Sequence, residues 1–193
     1  LYSSAASDVY KRQQLAAATG VDAFASAFES YWSTESQPIT DDLALRTVRL
    51  VSEHLELSCT TCDSVARANC ALASTISGIG YTNSRPNICH AFSQPLTLFW
   101  GTAHGQAVGL TLPIFLAWNA PAIQHKLPRL WDALGVNNLE EAQSRLTTIM
   151  RNCGLNTRFD QMGVSKNDLN LILDNVPWLR LNTIPRPMTR TEA

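Results

Sequence analysis

Apolar positions recur at helical spacing along nearly the whole chain. In VDAFASAFESYW, Phe24, Phe28, Tyr31 and Trp32 fall on one stripe of a helix that begins near Gly20. Ser36-Gln37-Pro38 breaks it. Thr40 then reads as an N-cap with Asp41 and Asp42 in a favourable first turn. Leu43, Leu45, Val48, Leu50, Val51 and Leu55 follow as the buried face of a second helix. Asp63 can cap a third, SVARANCALASTISGIGY. Its later part is apolar or small all round, which predicts burial on most sides.

Asn83 to Pro86 reads as a turn. ICHAFSQ is a short helix that Pro95 interrupts or bends, and HGQAVGLTLPIFLAW is an apolar helix with a kink or break at Pro113. IQHKLPRLWDALG and NLEEAQSRLTTIMRNCG are amphipathic. The second is capped by Asn138, carries Glu140 and Glu141 in its first turn, and ends at Gly154. SKNDLNLILDNV is a last short helix before a proline-punctuated tail. No segment reads as a strand and no repeat is visible. The expected fold is all-α, with about seven to nine helices.

A length of 193 residues allows one domain, or one and a fraction. The 45% hydrophobic and 16% charged content supports a sizeable core. A net charge of −1 gives no broad electrostatic case for nucleic acid or an anionic membrane. No apolar run approaches the roughly 20 residues of a membrane helix. The five cysteines are odd in number and irregularly spaced, so a reducing cytoplasm is the simplest setting. No glycine-rich nucleotide motif is present. The opening is not a signal peptide. DVYKRQ is what GAT-GTG-TAT-AAG-AGA-CAG encodes, which resembles a transposon end used in sequencing libraries. Residues 1–13 are therefore expected to be adaptor-derived, and residues 14–193 to form a helical metal-binding domain cut at both ends.

Candidate chemistry centres on His90 and His104, which sit among small and apolar residues. A helix and the start of the next can bring two imidazoles to one point, and an added carboxylate makes an open site for a borderline metal. Spacing alone leaves packed histidines as the alternative. Asp22 and Ser26 share a helix face, though Asp22 also reads as a cap residue. Cys59 and Cys62 have C-x-x-C spacing without a second ligand pair or a βαβ context. Cys89 reads as packing.

Together these segments resemble the helical C-terminal domain of the iron-containing alcohol dehydrogenase family. TGVDAFASAFESYWS, PITDDLALRTVRLV, ALASTISGIGYTN and CHAFSQPLTLFWGTAHGQAVGLTLP carry the resemblance, and it covers nearly all of Leu15 to Ala193. It implies a dehydroquinate synthase-like fold whose N-terminal α/β, NAD(P)-binding domain is absent from this chain. It also implies one divalent metal, Fe2+ or Zn2+, in the cleft between the domains. Asp22, His90 and His104 match three ligand positions, and Ser26 stands where a further histidine is usual. Gln94 stands where many members have a histidine near the nicotinamide. It can hydrogen-bond substrate or cofactor but cannot relay a proton as imidazole does.

ESYWS, TNSR before His90, HAFSQPLT and HGQAVGLTL are similar to the phosphonoacetaldehyde reductase-like branch. That branch reduces a phosphonate aldehyde to 2-hydroxyethylphosphonate. It makes Arg85 a candidate phosphonate contact, against the alternative of a surface turn residue. The implied reaction is metal-assisted hydride transfer from NAD(P)H to a small aldehyde, with no activity expected from this chain alone. A homodimer of the full-length protein is compatible with the resemblance. The alternatives are a non-catalytic helical module with structural histidines, favoured by Ser26 and Gln94, and a general short-chain alcohol or lactaldehyde reductase.

Overall fold

One long helix, α1 (Tyr2–Trp32), organises the molecule, with α2 (Pro38–Thr60), α3 (Ser64–Ser84) and α5 (His104–Asn119) laid against it. The computed structural model describes residues 2–61 and 63–193, with side chains from Arg12 onward. Helices α4 (Ile88–Trp100), α6 (Leu127–Leu134), α7 (Leu139–Asn152) and α8 (Leu169–Asp174) complete the eight α-helices among the described residues. Short 3-10 turns lie at Ala120–Ala122, Phe159–Met162, Lys166–Asp168 and Trp178–Thr183. No strand occurs among the described residues, in agreement with the all-α expectation.

The aromatic stripe forms the core as expected. Phe24, Phe28, Tyr31 and Trp32 are all fully buried, and Phe24 and Phe28 meet edge to face at 5.2 Å. Yet α1 does not start at Gly20. The backbone is helical from Tyr2, through the segment read as adaptor-derived, and Asp22 is therefore a mid-helix residue rather than a cap. Alanine-rich QQLAAATG has high helix propensity and tolerates the single Gly20.

At the start of α2, Gln37 is the N-cap and Pro38 occupies the first turn. Thr40, expected as the cap, lies three residues further in. Its hydroxyl accepts the Gln37 N–H at 2.8 Å, so it closes the turn from inside the helix. Asp63 does cap α3, accepting from the Ala66 N–H at 2.7 Å.

Helix α3 departs from its expected burial. Only Ala66, Ala73, Ile76, Ser77, Gly80 and Ser84 are buried. Val65, Leu72 and Ile79, on the other side, are exposed. Small residues let α3 lie close to α1 and α2, and no other described element covers its far side.

Pro95 and Pro113 break neither helix that contains them. Each removes one backbone donor, but burial of Cys89, Ala91, Phe92 and Leu96 on α4, and of most of α5, holds the helical geometry. Helix α7 follows expectation. Asn138 Oδ1 accepts the Glu141 N–H at 2.9 Å, and Gly154 takes a left-handed φ of 76° just past the end.

The approach of α5 to α1 positions the site. A Cβ on Gly105 would stand 1.9 Å from the Ala18 carbonyl oxygen and 3.1 Å from Asp22 Cβ. A Cβ on Gly109, one turn later, would stand 2.2 Å from Val21 Cγ1. Two glycines on one face thus allow near backbone-to-backbone contact, and His104 is carried to Asp22 by this packing.

Candidate metal centre

Three elements supply one constellation. Asp22 comes from the middle of α1, His90 from the first turn of α4, and His104 from the first residue of α5. One potential ligand atom from each lies within 4.8 Å of the others. Asp22 Oδ1 is 3.4 Å from His90 Nε2 and 3.7 Å from His104 Nε2. The two imidazoles are 5.3 Å apart between centroids, inclined by 59°. Side-chain exposure rises across the set, from 9% at His90 to 35% at Asp22 and 48% at His104.

These donors fit a divalent cation. Asp22 Oδ1 is buried without a hydrogen-bond partner, an arrangement that normally costs about 1–3 kcal/mol or more. Ligands held at about 2.0–2.2 Å in a tetrahedral site stand roughly 3.3–3.6 Å apart, close to the two separations here. Two imidazole nitrogens and one carboxylate oxygen suit a borderline metal with open positions.

Glu29 fixes His90. It lies two turns after Asp22 on α1, is fully buried, and places Oε2 2.6 Å from His90 Nδ1. A carboxylate only accepts, so Nδ1 keeps its proton in either charge state, and when the ring gives up its second proton the lone pair lies at Nε2, toward Asp22. Glu29 also accepts the backbone N–H groups of Asn87 at 3.0 Å, of Cys89, and of His90 at 3.3 Å. Burial by itself depresses the His90 imidazolium. The Glu29 charge, with Asp22 beside it, reverses that and raises its pKa to about 9.

A buried polar network locks this junction of α1 and α4. Asn87 Oδ1 accepts from Trp32 Nε1 at 2.9 Å and from its own helix at Ile88 N–H, 2.8 Å. Ser33 donates to the Ser84 carbonyl at 2.8 Å. His104 is held more loosely, with Ser93 Oγ 3.5 Å from its Nδ1. Tyr81 packs its ring 6.0 Å from that of His90. Burial raises the Tyr81 phenol pKa, with Asp22 and Glu29 adding to it and Arg180 opposing.

The other sequence candidates fall around this core. Ser26 lies one turn beyond Asp22 and is nearly buried. Gln94 lies one turn beyond His90 and is half-buried. Arg85 caps the end of α3 with a φ of 58°, is largely exposed, and lies 3.6 Å from Glu35. Its contacts are at that end of α3 and not with the triad. Of the C-x-x-C pair, Cys62 lies outside the described residues. Cys59 is buried against Cys153, whose thiol lowers the Cys59 pKa. Cys89 is fully buried, and burial pushes its thiol well up, as a packing residue requires.

Sequence reading missed Glu29, Ser93, Tyr81 and Gly105. Glu29 carried a usable signal: it is a carboxylate inside the apolar stripe of α1, seven residues after Asp22. The others have no comparable mark.

Residues 16–192 match the Fe-containing alcohol dehydrogenase family, C-terminal. The chain belongs to this family. Among curated relatives, 1,3-propanediol dehydrogenase of Klebsiella pneumoniae is 28% identical over 82% of this chain and 43% of its own length. Lactaldehyde reductase of Escherichia coli K12 is 29% identical over 80% of this chain and 42% of its own length. A crystal structure of sulfoacetaldehyde reductase from Bifidobacterium kashiwanohense, in complex with NAD+, superposes with a TM-score of 0.87 at 25% identity. The match covers 93% of this chain and 48% of that one. The chain spans less than half the length of these relatives. No described helix is long and apolar enough to cross a membrane.

Proposed function

We propose that this chain is the metal-holding helical half of an NAD(P)H-dependent reductase of small aldehydes, which also runs as an alcohol dehydrogenase. The observation that carries the reading is the orphaned Asp22 Oδ1 beside His90 Nε2 and His104 Nε2. When bound, a divalent cation such as Fe2+ or Zn2+ supplies Lewis acidity to a substrate oxygen. Asp22 offsets part of its charge. Glu29 holds His90 in one tautomer, and half-exposed His104 completes the set from the open side. Gln94 donates or accepts a hydrogen bond at substrate or cofactor. The nicotinamide is held mainly by a nucleotide-binding domain outside this chain, in keeping with relatives about twice its length.

For the substrate we favour a two-carbon aldehyde bearing a tetrahedral anion, phosphonoacetaldehyde in the first place. The sulfoacetaldehyde reductase named above acts on an aldehyde of the same plan. Arg85 is the candidate contact for such an anion through its planar guanidinium, and with Arg180 it lines a cavity of about 250 Å³ that includes none of the triad residues.

The test is NAD(P)H oxidation by a protein joining these residues to a nucleotide-binding domain. Phosphonoacetaldehyde, sulfoacetaldehyde, lactaldehyde and propanal are the substrates. Preference for the two anionic aldehydes, abolished by His104→Ala, is the expected result. Preference for lactaldehyde or propanal points instead to a general short-chain reductase. The non-catalytic reading draws on Ser26 at the usual fourth-ligand position. Equal, negligible iron and zinc affinity in wild type and His104→Ala would establish it.

A further inference from the structure

We propose that Glu29 is a positioning residue that couples the docking of α4 on α1 to the readiness of His90 to take a cation. The inference rests on the metal reading above and adds to it a residue outside the ligand set.

A fully buried carboxylate is costly unless every lone pair is used. Here Glu29 takes three backbone N–H groups at the opening of α4, and the positive end of that helix favours its charge. The same carboxylate takes the Nδ1 proton of His90 at 2.6 Å. Seating α4 and orienting the ligand are therefore a single event. Both contacts use one carboxylate, because His90 belongs to the turn that Glu29 caps.

Geometry makes the coupling specific. Asp22 and Glu29 are seven residues apart on α1, so both lie on one face, and the His90 ring stands between them. Glu29 holds the Nδ1 edge and Asp22 faces the Nε2 edge. Replacing Glu29 with glutamine keeps the shape but changes the logic. The amide oxygen, in place of Oε1, still accepts the Cys89 and His90 N–H groups, while the amide N–H₂, in place of Oε2, gives up the Asn87 N–H and can only donate to Nδ1. That moves the ring proton to Nε2, where Asp22 Oδ1 is 3.4 Å away and ready to accept it. The site then closes on itself as a hydrogen bond between two of its own ligands, and a cation must reverse the tautomer to bind.

The experiment compares wild type with Glu29→Gln in this chain, using Zn2+ as the probe. Thermal melts with and without Zn2+, zinc titration calorimetry and histidine 15N–1H spectra are the readouts. A cap alone would lower the Tm of metal-free and zinc-loaded chains equally. Coupling instead shrinks the zinc-induced rise in Tm and weakens zinc binding by roughly 10–100-fold, the usual effect of losing such a partner. The spectra should place the neutral His90 proton on Nδ1 in wild type and on Nε2 in Glu29→Gln. Unchanged zinc affinity and tautomer in a folded Glu29→Gln chain would overturn the proposal alone. A wild-type chain without zinc affinity would overturn the metal reading with it. Should Glu29→Gln fail to fold, the zinc-loaded wild type still decides, since zinc held through Nδ1 of His90 contradicts the proposal.

Discussion

Gly105 and Ala18 meet backbone to backbone: a methyl group on Gly105 would stand 1.9 Å from the Ala18 carbonyl oxygen. Because the obstacle is main chain, it cannot rotate aside. Gly105→Ala is expected to push α5 off α1, to destabilise the fold by about 1–3 kcal/mol or more, and to separate His104 from Asp22. Gly78→Ala is the matched control. It sits inside α3 with nothing within 4 Å of the added carbon, and helix propensity favours it by up to ~1 kcal/mol. Urea midpoints and zinc affinity should move down together for the first and stay level or rise for the second.

The charge on His90 gives the metal-free chain a pH signature. Its pKa stands at about 9 in the fold against an ordinary 6.5, so the folded state binds the proton more tightly than the unfolded one. The resulting stability is fully present below about pH 6.5 and is lost as pH rises through about 9. Urea midpoints of the chelator-treated chain should fall across that window, and the step should be absent in His90→Gln. With zinc the sign is opposite for affinity. The cation displaces a proton, so binding should tighten as pH rises toward 9 and release close to one proton near neutral pH.

Ser26 marks a place where a ligand can be added. It follows Asp22 by one helical turn on the same face, and a serine hydroxyl is a poor ligand beside imidazole. Ser26→His is expected to tighten zinc binding by at least the roughly tenfold worth of a supporting residue. Asp22→Asn should weaken it by more than Ser26→His gains. Both are read by competition with a chromophoric chelator.

Arg85 separates the anionic-aldehyde reading from the general one. In the protein carrying its nucleotide-binding domain, Arg85→Ala should raise KM for phosphonoacetaldehyde several-fold and leave propanal unchanged. Equal kinetics on both substrates would make Arg85 the surface partner of Glu35 and nothing more.

What the sequence revealed depended on how local the cause was. Phe24, Phe28, Tyr31 and Trp32 declare their helix by spacing, and Asn138 declares its cap by position. Their causes lie within a few residues. Pro95 interrupts no helix because the packing that keeps α4 continuous comes from elements distant in sequence, α5 above all. Composition misled for α3, since small apolar residues serve a close helix approach as well as full burial. The candidate ligands Asp22, His90 and His104 were legible only through family resemblance, because their spacing matches no general metal motif. Glu29 escaped because its partners, the amides of Asn87, Cys89 and His90, become neighbours only after folding.

The rise in exposure from His90 to His104 has a kinetic consequence. His90 is immobilised by Glu29 before any ion arrives, whereas His104 stands half in solvent with only a long contact to Ser93. For a cation held by this triad, the side of half-exposed His104 would be the open way in, and His90, already held by Glu29, would be the ligand that needs least reorganisation.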